Sequence, residues 1–147
     1  WYGRVLVERV EGFCKEADWM RAYSEINDFE QQLAQHKVLV VKFWLATSKE
    51  EQYRRFKARE KVAFKRFKIT AEDWRNRKKW DEYETAVCDM VDRTSTNLAP
   101  WTLVEANNKY YARLKVLRTL AIAVEGALER IGKLKKDKTG TVKIRSK

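Results

Sequence analysis

The sequence predicts an α/β fold, and three observations predict it. Long stretches carry apolar residues three and four positions apart, the period of a helix. Two short segments, Val38–Leu45 and Trp101–Glu105, switch to β-branched and aromatic runs. Each of them is followed within a few residues by a helix-capping side chain, Ser48 in one case and Asn107 or Asn108 in the other. Strands that feed helices which cross back over the same sheet must lie parallel. At 147 residues the chain is long enough for one domain with a core.

Residues 2–14 hold Val5, Val7, Val10 and Phe13 in a partial apolar stripe and are expected to be helical. A second helix is expected from about Asp18 to Gln35, where Trp19, Tyr23, Ile26, Phe29 and Leu33 recur at helical spacing. The period then changes. Val38 to Leu45 is apolar on both faces, interrupted only by Lys42, as a strand inside a parallel sheet should be. Ser48 and Glu51 have capping-box spacing and open a basic helix. Thr70 and Asp73 repeat that spacing ahead of a helix expected to reach about Arg93, with Trp74, Trp80, Tyr83, Val87 and Met90 on it. Asn97-Leu98-Ala99-Pro100 breaks the pattern, and Pro100 enters the second strand. In the last helix Leu114, Leu117, Ala121, Val124, Leu128 and Ile131 make one apolar face. Residues 132–147 are almost without apolar side chains and are expected to form a disordered basic tail. Two strands do not make a stable sheet alone, and the chain opens on Trp1 rather than Met. It therefore reads as a fragment whose other strands precede it.

Composition narrows the function. A hydrophobic content of 44% excludes wholesale disorder, and no apolar run approaches the roughly 20 residues that span a bilayer. Cys14 and Cys88 stand far apart without a CxxC, and His36 is the one histidine, so neither a metal site nor a disulfide framework is expected. Two idle thiols suit a reducing, cytoplasmic setting. The net charge of +11 points to anionic partners, and it is unevenly placed. Residues 49–79 hold 13 Lys or Arg against 5 Asp or Glu, while the helices on either side are near neutral or acidic. Arg55 and Arg59 stand four apart, on one face of the basic helix. Guanidinium forks match phosphate oxygens two at a time, so such a face suits a polyphosphorylated anion. A solvated surface helix with pairs such as Glu51 and Arg55 has the same pattern. A small nucleic-acid-binding module is the rival from another class, although no recognised nucleic-acid motif is present. There is no Gly-rich phosphate loop, no Ser/His/Asp arrangement and no HExxH, so the residues given make no complete active site.

Five blocks in order carry a resemblance that covers about residues 1–128. They are Trp1-Tyr2-Gly3-Arg4 through Val10; Val41-Lys42-Phe43-Trp44-Leu45 with Ser48 to Phe56; Trp80-Asp81-Glu82-Tyr83; Arg93-Thr94-Ser95-Thr96; and Ala99-Pro100-Trp101 with Lys109 and Arg113. Together they resemble the family-2 polyphosphate kinases, most of all the polyphosphate:AMP phosphotransferase branch.

The resemblance implies the C-terminal part of a P-loop kinase-like three-layer domain over residues 1–131, a parallel sheet with flanking helices and a helical lid at about 49–94. The N-terminal strands and the Walker A loop are then expected to lie outside the chain, which opens just after the Walker B aspartate. It further implies transfer of a phosphoryl group from polyphosphate to AMP, with ADP the alternative acceptor, using Mg²⁺ bound mainly by residues outside this chain. The chain alone is accordingly expected to be inactive, and the intact enzyme to be a homo-oligomer without membrane or specific nucleic-acid partners. Onto this sequence the resemblance carries Arg4, Arg55 and Arg59 as catalytic arginines and Glu8 as a nucleotide-binding residue. Arg54, Lys65, Arg66 and Lys68 become phosphate- or polyphosphate-binding, and no residue is assigned to metal. Ala46 and Phe67 depart from the family, where His and Trp are common.

Overall fold

A computed structural model describes residues 1–132, 134–136 and 142–144 of the protein. A π-helical turn, Arg4–Glu8, runs directly into α1, Arg9–Glu11, and stops at Gly12, whose φ of 70° only glycine adopts without strain. The helix α2 spans Glu16–Gln35. The first strand is shorter and later than expected: β1 is Lys42–Ala46. The exit from α2 explains the difference. Lys37 is left-handed at φ 63°, and the Val38 N–H donates to Leu33 O at 2.9 Å, a Schellman-type end that ties Val38 to the helix.

From β1 the chain enters α3, Lys49–Glu60, behind a Ser48 cap whose Oγ accepts from the Glu51 N–H at 3.2 Å. The Glu51 carboxylate turns instead to Arg54 and Arg55, so only half of the expected capping box forms. A 3₁₀ turn, Ala63–Lys68, leads to α4, Ala71–Lys78, where Thr70 and Asp73 make the full box. The single helix expected from Thr70 breaks at Lys79 and resumes as α5, Trp80–Thr94. Lys79 Nζ reaches Val10 O at 2.9 Å and Glu11 Oε2 at 3.4 Å, so tertiary contacts with α1 hold the break. The second strand, β2, is Trp101–Glu105 as expected, and Asn108 caps α6, Lys109–Arg130.

β1 and β2 are hydrogen-bonded parallel neighbours, with Lys42 opposite Trp101 and Ala46 opposite Glu105. Alternation gives the sheet two faces. Trp44 and Trp101 pack on a core of Val5, Ala22, Tyr23, Ile26 and Met90, supplied by the π-turn, α2 and α5. Phe43 and Val104 face Ala112 and Val116 of α6 on the other side. The layers are therefore helix, sheet, helix. One charged cluster lies inside. Lys42 Nζ donates to both Glu30 oxygens, at 3.0 and 2.8 Å, and to Thr94 O at 2.6 Å. Glu30 is fully buried, and each ammonium hydrogen has a partner, which is the condition for burying such a pair.

Two expectations are corrected. The apolar face of α6 is real as a stripe, yet Leu114 and Leu117 are 67% and 64% exposed. A two-stranded sheet is too narrow to cover a helix of 22 residues, and only Ala112 and Val116 reach it. The tail was expected to be disordered, but Leu134–Lys136 (β3) and Val142–Ile144 (β4) pair antiparallel. The run Val142-Lys143-Ile144 places two β-branched residues at strand period, which favours extended chain there. The remainder of that call, residues 133, 137–141 and 145–147, lies outside the described residues.

Candidate functional site

The basic segment folds as a helical arm, α3, the 3₁₀ turn and α4, rooted at the C-terminal ends of both strands. Open α/β sheets take ligands at that end. Aromatic packing closes the arm on itself: Phe56 and Tyr53 of α3 meet Trp74 of α4 edge-on, the Phe56 centroid at 5.2 Å. Arg77 joins the two helices by donating to Lys49 O at 2.5 Å and Gln52 Oε1 at 3.2 Å, with its guanidinium 5.2 Å from the Tyr53 ring. The root is tied to the loop after β2. Ser48 N–H donates to Asn107 Oδ1 at 2.9 Å, and Ala106 N–H to Ala46 O at 2.7 Å.

The arginines divide by what they hold. Arg55 is only 17% exposed; its Nη2 donates to Ala106 O at 2.6 Å and Asn107 O at 3.0 Å, and its Nε to Glu51 Oε1 at 2.7 Å. It thus lies at the strand ends as expected, but its fork grips protein carbonyls where a phosphate was anticipated. Arg54, 71% exposed, makes a two-pronged contact with Glu51, both prongs at 2.7 Å. That fork, ahead of Arg55, holds the Glu51 carboxyl at about 2. The side chain of Arg59, one turn on, has no hydrogen bond, ion pair or ring contact among the described residues.

At the tip, Lys65 and Lys68 sit over the rings of Phe64 and Phe67, 5.3 and 5.6 Å from the centroids, and neither forms an ion pair with a described residue. Phe64 and Phe67 are 73% and 76% exposed. Arg66 Nε caps α3 by donating to Glu60 O at 2.8 Å. Among the described residues Arg59, Lys65 and Lys68 are therefore free of carboxylates, while Arg54, Arg55 and Arg66 are engaged.

Arg4 and Glu8 form a separate pair. Arg4 Nε meets Glu8 Oε2 at 2.7 Å, and the two line a cavity of about 430 Å³ with Trp1, Glu25 and Phe29. No residue of the basic arm lines that cavity, so the structure does not bring Arg4 together with Arg55 or Arg59. Among the described residues no three His, Cys, Asp or Glu side chains gather as a metal seat.

Sequence reasoning missed a second, larger cavity at the base of the arm. It measures about 750 Å³ and is walled by Trp44, Trp80, Tyr83 and Leu103 among others. Trp80 and Tyr83, expected on one helix running on from Thr70, instead open α5 after the break at Lys79 and wall the cavity.

The architecture and the phosphate-suited arm come together with one comparison. The family model described as polyphosphate kinase 2 matches residues 1–131. The chain belongs to the polyphosphate kinase 2 family. Among curated relatives, the polyphosphate:AMP phosphotransferase of Pseudomonas aeruginosa is 67% identical over 130 residues, 88% of this chain and 26% of that protein. An ADP-polyphosphate phosphotransferase of the same organism is 35% identical over 120 residues, covering 82% of this chain and 40% of that one. The crystal structure of polyphosphate kinase 2 from Arthrobacter aurescens TC1 superposes with a TM-score of 0.81 at 40% identity, covering 85% of this chain and 44% of that chain. The chain thus spans about a quarter of the length of the polyphosphate:AMP phosphotransferase from Pseudomonas aeruginosa. No helix among the described residues is long and apolar enough to cross a membrane.

Proposed function

We propose that the full-length protein carrying this segment transfers a phosphoryl group from polyphosphate to AMP. An oxygen of the AMP phosphate attacks the terminal phosphorus of the polyphosphate chain. The bridging P–O bond breaks, leaving ADP and a polyphosphate one unit shorter. The observation that carries this reading is the arm itself, a helical hairpin closed by aromatic packing, with cations unpaired among the described residues, rooted where an α/β sheet binds ligands. Phosphoryl transfer needs mainly positioning and the neutralisation of developing charge. AMP is preferred to ADP as acceptor because the relative named for AMP is 67% identical and the one named for ADP 35%.

In this reading Arg59 neutralises charge on the transferring group, and Lys65 and Lys68 hold the polyphosphate chain. Arg54 joins them when polyphosphate competes with Glu51 for its fork. Arg66 lies beside Lys65 as a further polyphosphate contact. Arg55 positions the arm. Arg4 keeps its phosphate-facing role on the strength of the family resemblance, and Glu8, which that resemblance gave to nucleotide binding, is here the carboxylate that holds Arg4 at 2.7 Å. Mg²⁺ is proposed for the full-length enzyme, seated outside the residues described here, and no step above is routed through it. The setting is a cytoplasmic enzyme that acts as a homo-oligomer.

The test is nucleotide product from AMP or ADP, with and without polyphosphate, using the full-length protein. ADP formed from AMP only when polyphosphate is supplied is the expected result. Lys65→Ala with Lys68→Ala should raise the KM for polyphosphate and leave that for AMP unchanged. A protein that transfers nothing but binds RNA or DNA tightly would replace this reading with a nucleic-acid module.

A further inference from the structure

The 750 Å³ cavity at the base of the arm lies within the size range of ligand clefts, about 300–1,000 Å³. Its position is informative: Leu45, Ala46 and Thr47 at the exit of β1 form one wall, and Gln52 of α3 another. Trp44, Trp80 and Tyr83 supply aromatic faces, and Leu103, 52% exposed, an apolar one. Among the described residues two charged side chains line it, Glu84 and Asp92, both acids, and no Lys or Arg does. A phosphate is therefore repelled from it, whereas a flat heterocycle with N–H donors is suited to aromatic walls and carboxylate acceptors.

The polar inventory agrees. Gln52 Oε1 is taken by Arg77, which leaves the amide nitrogen as a donor. Asn76 Oδ1 is buried without a hydrogen-bond partner among the described residues, although Asn76 lines the cavity, while the Tyr83 hydroxyl lies beside the Glu11 carboxylate. Burial pushes the Tyr83 ionisation up, so the group stays a hydroxyl. A buried polar atom without a partner costs about 1–3 kcal/mol, and a side chain that turns toward a bound donor recovers it.

We propose that this cavity seats the base of the acceptor nucleotide, an amino-bearing heterocycle between Trp44, Trp80 and Tyr83, with its phosphate outside toward the basic arm. The inference rests on the polyphosphate:nucleotide reading and names the acceptor subsite of that activity.

Cys88 is an exposed thiol on the cavity wall and reports occupancy in the unmodified protein. In full-length protein, the alkylation rates of Cys88 and Cys14 by iodoacetamide are followed by peptide mass spectrometry, with and without adenosine. Adenosine has no phosphate and needs no catalysis to bind. Cys88 should be protected at least five-fold at saturating adenosine, with Cys14 unchanged. Leu103→Trp, at an exposed strand position that tolerates a larger side chain, should abolish that protection. It should also raise the KM for AMP at least ten-fold and leave the KM for polyphosphate within two-fold. An enzyme that phosphorylates AMP while adenosine leaves Cys88 unprotected overturns the subsite. So does a Cys88 that never reacts, because another part of the polypeptide then fills the cavity. Protection of Cys88 without any transfer from polyphosphate keeps the base subsite and defeats the catalytic reading instead.

Discussion

Arg55 and Arg59 stand one turn apart, and their partners predict opposite phenotypes when each is replaced by alanine. Arg55→Ala removes the charged donor that Ala106 O and Asn107 O share, together with one of two contacts to Glu51. One charge-assisted hydrogen-bonding group of this kind is worth about 1.5–3 kcal/mol. The Glu51 part adds little, because Arg54 still holds that carboxylate. A loss of about 2–3 kcal/mol at the root of α3 translates, at ten-fold per 1.4 kcal/mol, into amide exchange about 30- to 150-fold faster. The assay is hydrogen exchange by mass spectrometry on full-length protein, read on peptides covering residues 49–60, beside kcat for AMP phosphorylation. Arg59→Ala, with no partner to lose, should leave exchange unchanged and lower kcat about 10²–10³-fold, the range for a donor that stabilises transition-state charge. Arg55→Lys should not restore protection, since a point ammonium cannot serve two carbonyls and a carboxylate as the planar fork does. Unchanged exchange in Arg55→Ala alongside a kcat loss equal to that of Arg59→Ala would refute the division, and Arg55 would then be a phosphate ligand.

Lys42→Met leaves the Glu30 carboxylate buried without a counter-charge and should destabilise by about 3–5 kcal/mol; the double variant Lys42→Met with Glu30→Leu should recover most of it, as read from urea unfolding midpoints. Glu51, held at about 2 against an ordinary 4.5, stabilises the folded state above about pH 4.5 and loses that contribution as pH falls toward 2. The stability gap between the native protein and Glu51→Gln should therefore be constant near neutrality and close between those pH values, measured by acid titration of the thermal midpoint. Because the arm's cations are solvent-exposed, the KM for polyphosphate should rise steeply with added salt while that for AMP moves much less, a contrast that steady-state kinetics at several ionic strengths would show.

What could be read from the sequence, and what could not, follows from the range of the interactions involved. Ser48, Thr70 and Asn108 announced their helices because a cap is a contact between residues two or three apart, and each N–H acceptance is present. The second strand was placed to the residue because Pro100 and the β-branched run mark it locally. The first strand was not, since its start depends on how α2 ends at Lys37 and Val38. Long-range partners were out of reach. A run of basic residues showed that an arm could meet phosphate, but only Ala106 and Asn107, some fifty positions away, show that Arg55 is occupied. Lys42 was visible as a charge inside an apolar strand, and a buried charge requires a partner. Naming Glu30 and Thr94 O required the fold.

The same distinction separates the two parts of the candidate site. Charge is a one-dimensional property, so the phosphate-facing arm could be found from its residues alone. A base-sized cavity is three-dimensional. It is walled by Trp80 and Tyr83, at the start of α5 just beyond the break at Lys79, and by Trp44 of β1. Lys79 makes that break by reaching Val10 O and Glu11, so the short α1, which carries no candidate chemistry of its own, sets the shape of the cavity. Lys79→Ala should accordingly free α4 and α5 to run closer to continuous and alter acceptor binding without touching any group that meets phosphate. The expected signature is a raised KM for AMP, weaker adenosine protection of Cys88, and a KM for polyphosphate that stays within two-fold of the native value. Equal losses toward both substrates would show instead that the break serves the arm as a whole.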